Sequence, residues 1–341
     1  RFPIGSLAML ALELLLFLVV ILVAAEIFVN ALEHLGERLG ISEGVTGSIF
    51  AAVGTAMPET IVPLLAIFAG TQNQQLNEEI GVGAILGAPL MLSTLSLCLM
   101  ALAVWKKRGT QGHLTPERSG LSRDLDFFLV AFTLAAIALF VPHDTAGLRA
   151  MLAFGMVTIY FFYVMLTLKA SAALVKDGHA TEAESPMFLA RIGVPTNMLT
   201  IVIQLGTGLV LLVLGAKGFI HGIEHAAPML GISALVLSLM IVPVATELPE
   251  KVNSILWIRR HKDTLAFGNI TGAMVFQGTL LPAIGVLLTP WAPQKEVLAG
   301  VAITLLAATW LRIMLLRGQL RVWHLAVNGI LYLTYLTIAL I

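Results

Sequence analysis

Two glutamates stand where an ionisable group is expensive. Glu59 ends the segment GTAMPE at 54–59, Glu250 ends ATELPE at 245–250, and both lie deep in long apolar runs. A charge at the bilayer centre costs roughly 3 kcal/mol on insertion scales and is by default a sign of function. Two carboxylates held together in a low dielectric repel unless a cation or a proton sits between them. That is a binding mechanism: the empty, doubly ionised state is disfavoured and the loaded or protonated state is favoured. The plainer alternative pairs each glutamate with a lysine or a helix end. Lys251 follows Glu250, whereas no basic residue lies near Glu59 in its run.

The prolines add oxygen ligands. Pro58 has no N–H and leaves the Gly54 carbonyl without a helical partner; Pro249 does the same for Ala245, and Pro63 for Glu59. Broken backbone is tolerated in a bilayer only where it lines protein or a cavity. The carbonyls of Gly54 and Ala245, the hydroxyls of Thr55 and Thr246, and the two carboxylates make an oxygen-rich set suited to a hard cation such as calcium. For each threonine, a hydroxyl bonded back onto its own helix is an equal reading. Glu247 falls near the helical face of Glu250, and close carboxylates titrate as a pair, which suits a proton carrier. An i,i+4 ion pair with Lys251 explains Glu247 equally well. Asn269 is either a coupling ligand or a bond to a neighbouring helix.

Composition says what must position these residues. Of 341 residues, 58% are apolar and 12% charged, with 20 basic against 20 acidic side chains and a mean hydropathy of +0.93. A soluble enzyme, a disordered chain and a nucleic-acid binder with a basic face are excluded. Cys98 is the only cysteine, so no disulfide framework exists and packing explains it. Transmembrane runs are expected near 7–29, 45–69, 79–104, 125–141, 147–169, 196–219, 230–257, 265–289, 296–315 and 322–341. The first run contains Glu13 and Glu26 and lacks a cleavage site, so it reads as a span and not as a signal peptide. A first residue Arg1 suggests an earlier natural start. TQNQQLN at 71–77 reads as a loop.

Loop charges orient the bundle. The odd-numbered gaps carry Arg38; Lys106, Lys107, Arg108, Arg118 and Arg123; Lys176 and Arg191; Arg259, Arg260 and Lys262; and Arg317 and Arg321. Even-numbered gaps carry only Arg149, Lys217 and Lys295. The asymmetry implies an even number of spans in a cell (inner) membrane, with both termini non-cytoplasmic.

The chain also repeats itself. EHLGERLGIS at 33–42 and EHAAPMLGIS at 224–233 share their Glu-His and Leu-Gly-Ile-Ser positions at an offset that also superposes Val53, Thr55, Pro58 and Glu59 on Val244, Thr246, Pro249 and Glu250. Gly83, Ile85, Gly87 and Ala88 match Gly268, Ile270, Gly272 and Ala273. The expected organisation is a five-helix repeat at 1–169, a cytoplasmic linker at 170–195 and a second five-helix repeat at 196–341. With an odd number of spans per half, the second repeat enters the membrane inverted. Inverted repeats are a transporter design, with half-sites meeting near the midplane. The fold class is therefore an all-α integral membrane protein of ten helices.

At this point the resemblance is plain. GISEGVTGSIFAAVGTAMPE is similar to the first alpha-repeat of the cation/calcium exchanger superfamily, which includes sodium/calcium exchangers, and GISALVLSLMIVPVATELPE followed by GNITGAMVFQ is similar to the second. The resemblance implies a secondary antiporter in which Glu59 and Glu250 ligate the cation, Thr55 and Thr246 contribute oxygens, and sodium or proton flow drives calcium export. No cofactor is implied; the partners are inorganic cations and lipid. Departures are as informative. Ala56 and Glu247 replace a usual serine, Ala245 a glycine, and Ala84, Ala88 and Pro89 stand where polar residues are expected; Ala273 and Met274 do the same in the second repeat. Side chains expected to hold sodium are thus missing, which favours proton coupling or another cation. A transporter-like sensor or scaffold is a further alternative. An intramembrane enzyme lacks support, with no HExxH or GxSxG and no histidine near Cys98 in its span. His34 and His225, matched across the repeats beside loops, read as interface or helix-end residues.

Overall fold

The structure is a computed structural model that describes residues 4–39, 57–175 and 185–341. Those residues are almost entirely helical. In chain order the helices are α1 (Ile4–Arg38), α2 (Met57–Ala69), α3 (Gln74–Met91), α4 (Leu97–Arg108), α5 (Arg118–Ala138), α6 (Ala146–Val175) and α7 (Phe188–Arg191). They continue with α8 (Met198–Leu230), α9 (Ala234–Thr246), α10 (Leu248–Arg259), α11 (Asp263–Leu288), α12 (Lys295–Leu316) and α13 (Val322–Leu340). Seven of the described segments are long and apolar enough to cross a bilayer, α3 and α4 counting as one, and α2 and α9 hold shorter apolar stretches. Large apolar side chains lie exposed on α1 (Leu12, Leu16, Val19) and α8 (Leu199, Val202, Val210), as a lipid-facing surface requires. The protein is a multi-pass integral membrane protein.

Three elements differ from expectation. The loop after α2 is shorter than TQNQQLN, because α3 already begins at Gln74. α6 runs on to Val175, into the segment read as linker. The span expected at 230–257 is two helices, broken at Glu247 (φ −96°, ψ 11°), with Pro249 in the first turn of the second helix. Proline is at home there, where its missing N–H would have no helical acceptor, and its ring opposes continuation of the preceding helix.

The chain forms two compact units, each drawing helices from both sequence halves: Arg1–Gln74 with Val164–Gly231, and Gln75–Tyr163 with Ile232–Ile341. In the first unit α1 packs on α8. Gly208 faces the backbone of Phe28, Gly215 faces Ile21, Gly218 faces Phe17 and Gly222 faces Leu14, so the partners descend on α1 as they ascend on α8 and the helices run antiparallel. Small residues let the two backbones approach, the usual means of joining helices in lipid. A β-carbon at Gly208 would lie 2.9 Å from the Phe28 nitrogen. Ile61 of α2 packs against Ala24, Ala25 and Leu212, which seats α2 beside this pair.

In the second unit α3 and α9 run parallel. Gly83 lies against Leu235 and Ser238, Gly87 against Leu239 and Pro243, and the Ser238 hydroxyl donates to the Ile80 carbonyl at 2.8 Å. α5 and α11 also run parallel, through Thr271 on Asp124 and Gly278 on Phe128. α4 and α13 run antiparallel, through Gly329 against Cys98 and the bridge between His113 and Arg321. The loop and helix ends meet in two sets. Arg108 pairs with Asp263 at 2.8 Å, Thr115 N donates to Asp263 at 2.9 Å, and Leu114 N to the Leu320 carbonyl at 2.9 Å. Separately, Arg149 donates to the carbonyls of Val141, Thr289 and Pro290.

Candidate cation-binding site

In the first unit Glu59 sits in the first turn of α2 and is 3% exposed. It is the only ionisable residue of that helix. Pro63 follows at i+4 inside the helix, so the Glu59 carbonyl has no N–H to accept from there. α2 therefore carries a buried carboxylate one turn before a proline. Gly54, Thr55 and Ala56 lie outside the described residues.

In the second unit the repeat-matched segment is the break between α9 and α10. Glu247 is fully buried at the break, and Glu250 is 8% exposed in the first turn of α10. One oxygen of Glu250, Oε2, has no hydrogen-bond partner among the described residues. A carboxylate at a helix N-terminus gains from the helix dipole, and the carbonyls that end α9 present the opposite pole. The Thr246 hydroxyl donates to the Val242 carbonyl at 3.2 Å, back onto its own helix, which leaves its oxygen lone pairs for another partner. Ala245 lies in the last turn of α9, and proline at 249 gives its carbonyl no N–H from that position.

Lys251 lies beside this break. Only 5% exposed, its ammonium donates to the Pro243 carbonyl at 2.8 Å, lies 2.9 Å from the Met91 sulfur and 3.4 Å from Glu247 Oε2. Pro243 is inside α9 and denies the Leu239 carbonyl its helical partner, at the point where Gly87 of α3 comes closest. Glu247 and Lys251 thus form an i,i+4 ion pair at the end of α9. Asn269 of α11 donates to the Glu250 carbonyl and to the Ser254 hydroxyl, each at 2.9 Å, and so fixes α11 to α10. In the repeat-equivalent stretch of α3, Ala84 and Ala88 are buried without any polar group to offer.

Sequence reasoning missed several polar groups that shape this unit. Asp124 is buried and accepts from Tyr163 at 3.0 Å and Thr271 at 2.7 Å, tying α5, α6 and α11. In the sequence its place beside Arg123 reads as a loop. Arg149, counted among loop charges, is buried and caps the carbonyls at the end of α11. A π-turn at Leu92–Ser96 joins α3 to α4; Ser93 and Thr94 both bond back to the Leu90 carbonyl, and Asn328 of α13 donates to the Ser93 carbonyl at 2.7 Å. Hydroxyls that return to the backbone favour such a departure from α geometry. The run LMLSTLS carried that signal.

Comparison with known proteins adds independent findings. Residues 9–169 and 200–341 match the family described as sodium/calcium exchanger protein. A relative that bears the name antiporter CaxA, from Alkalimonas amylolytica, is 24% identical over 311 residues, 89% of either chain. The inner membrane protein YrbG of Escherichia coli is 24% identical over 277 residues, 81% of this chain and 79% of its own. Among solved structures, the H+/Ca2+ exchanger CAX superposes with a TM-score of 0.71 at 18% identity, over 96% of this chain and 82% of that one. The sodium-calcium exchanger NCX_Mj gives a TM-score of 0.55 at 19% identity, over 97% of this chain and 98% of its own.

Proposed function

We infer, from the premise that this chain belongs to the sodium/calcium exchanger protein family, that it is a calcium-type secondary cation antiporter working by alternating access. The family is one of exchangers and not of enzymes. In this reading Glu59 and Glu250, one from each inverted repeat, ligate a single cation. The carbonyls of Gly54 and Ala245 and the hydroxyls of Thr55 and Thr246 complete its oxygen shell. The counter-ion competes for the same carboxylates, and the unloaded, doubly charged site is too costly to reorient. Competition then suffices for exchange.

The observation that carries this reading is the presence of two buried carboxylates at repeat-matched positions, each beside a helix opened by proline. The ten-span, inverted layout with non-cytoplasmic termini is part of the proposal. Helix directions support it: α9 is parallel to α3 and α11 parallel to α5, which requires α9 and α10 together to make one crossing. Loop contacts support it too. The Arg108–Asp263 and Leu114–Leu320 contacts join odd-numbered gaps, Arg149 joins even-numbered ones, and Arg38 in the first unit reaches the Thr196 carbonyl, again odd to odd. With Arg149 buried, the even side is left poorer still in free positive charge.

A second reading, protons as counter-ion or a different cation as cargo, is favoured by a specific observation. The polar residues expected to hold sodium are absent at Ala84, Ala88 and Pro89, and Asn269 is occupied by α10. Glu247 is the coupling residue of this reading, with its charge balanced by Lys251.

Radiolabelled calcium uptake into proteoliposomes tests both. Uptake driven by an outward-directed sodium gradient supports sodium coupling, and uptake driven only by a pH gradient supports proton coupling. Calcium binding with no flux under either gradient would overturn antiport and leave a sensor or scaffold.

A further inference from the structure

The last turns of α8 carry HGIEH at 221–225, which places His221, Glu224 and His225 at i, i+3 and i+4 on one helical face. We propose that these three residues form a binding site for a divalent transition-metal ion, separate from the cargo site and of different chemistry. One potential ligand atom from each residue lies within 4.8 Å of the others without any rearrangement. Zinc–nitrogen bonds of about 2.0–2.1 Å need only a modest closing of that triangle.

A hydrogen bond sets the His225 imidazole in ligand form. His225 Nδ1 lies 2.8 Å from the His221 carbonyl, and a carbonyl can only accept, so the proton is on Nδ1 and Nε2 holds a lone pair. His221 Nδ1 lies 3.1 Å from Glu224 Oε2, so an ion that takes the place of the proton between them is ligated by both, and its binding releases that proton. An imidazole whose inner nitrogen donates to a carboxylate or carbonyl is the usual oriented metal ligand. The two rings meet edge to face at 4.4 Å. His221 is 64% exposed at its side chain and Glu224 33%, so water can complete the coordination. Imidazole selects zinc, copper and nickel over calcium or sodium.

The duplicate of this motif behaves differently. At the same repeat offset α1 carries Asn30, Glu33 and His34. There Asn30 donates to Ser185 Oγ at 3.1 Å and accepts from Phe188 N at 3.0 Å and Gln204 at 2.9 Å, while His34 Nε2 meets the Ser185 carbonyl at 3.1 Å. That copy is covered by residues 185–188 and serves the fold. In α8 a second histidine replaces the asparagine and the pair stays accessible. The site also lies on a weak turn. Pro228, inside α8, gives the Glu224 carbonyl no helical N–H, and a metal bridging i to i+4 would brace that turn.

The test is a titration of the full-length protein in detergent with Zn2+ alone, calcium being present at saturation to fill the cargo site. One zinc per chain is expected, with affinity falling about tenfold or more in His225→Gln and in Glu224→Gln, and lost in His221→Asn/His225→Gln. Glu250→Gln should leave zinc affinity unchanged, and the double histidine variant should leave calcium flux unchanged. Copper substitution should give nitrogen hyperfine splitting in its EPR spectrum, which an all-oxygen cargo site cannot produce. The proposal fails if wild type binds no zinc, or if binding survives the double histidine variant, whatever the outcome of the calcium flux assay.

Discussion

Glu59 and Glu250 hold matching places in the two repeats, but their surroundings differ. α2 has one ionisable residue, Glu59, and one internal proline, Pro63. The second copy has three ionisable residues within five positions, Glu247, Glu250 and Lys251, and a full helix break at Glu247. The formal charge is nonetheless the same, minus one in each. The second copy has added a glutamate in place of the expected small polar residue and neutralised it with a lysine lodged on the end of α9. An ammonium tethered among a carboxylate, a helix-end carbonyl and a methionine sulfur occupies surroundings that would otherwise attract a free cation. The comparison teaches that the net charge of a half-site can persist while its polar neighbours change.

The comparison breaks first at the shared residues. A charged ligand worth roughly 3 kcal/mol corresponds to about a hundredfold in affinity, so Glu59→Gln and Glu250→Gln should each reduce calcium flux by about that factor or more. Equal losses are expected despite the different neighbours. Full flux in either variant would remove that glutamate from the site.

The asymmetry is tested next. Lys251→Met leaves Glu247 buried beside no cation, and breaking a buried pair from one side costs about 3–5 kcal/mol. Thermal unfolding in detergent should show a clear drop. Glu247→Leu combined with Lys251→Met should recover most of it, because an apolar pair of similar volume is commonly as stable as a buried ion pair. If the double variant is no better than Lys251→Met, Lys251 stabilises through Pro243 and Met91 and not through Glu247. A smaller effect belongs to Asn269. Asn269→Ala makes the second repeat resemble the first, where Ala84 stands, and removes two hydrogen bonds to α10 at a cost of about 1–3 kcal/mol. Calcium affinity should then change little; a large loss would make Asn269 a ligand as well.

Much of this was legible in the residues. The repeat, the two glutamates and the loop asymmetry follow from local pattern and from the price of charge in lipid. The oxygen-rich shell proposed for the cation rests on the proline and threonine beside each glutamate in the sequence. What stayed hidden depends on contacts between distant segments. Pro249 signals a freed carbonyl, but only its place in the first turn of α10 shows that a new helix starts there. Pro243 lies one turn from the motif and gives no sign in the sequence that Lys251 reaches back to its carbonyl. Arg149 reads as a loop charge until Thr289 and Pro290 close over it. Asp124 reads as loop until Tyr163 and Thr271 bury it. Sequence left two readings open for Glu247; the described geometry gives it Lys251 as neighbour, and whether it also carries a proton belongs to the flux experiment.

The smallest expected effect separates two uses of one oxygen. The Thr246 hydroxyl donates its hydrogen to Val242, so Thr246→Val removes a bond worth about 0.5–1.5 kcal/mol to the fold. The same oxygen can still offer lone pairs to a cation. As a neutral ligand it should contribute less than Glu250, and calcium affinity in Thr246→Val should fall about three- to tenfold, with Thr246→Ser close to wild type. Isothermal titration with calcium reads the affinity, and thermal unfolding without calcium reads the fold. Lost stability with unchanged affinity would show that Thr246 serves only its own helix, leaving Glu250 and the carbonyls of the broken turn as this half's ligands. Lost affinity with unchanged stability would make the hydroxyl part of the oxygen shell, and Thr55→Val should then show the same loss in the other repeat.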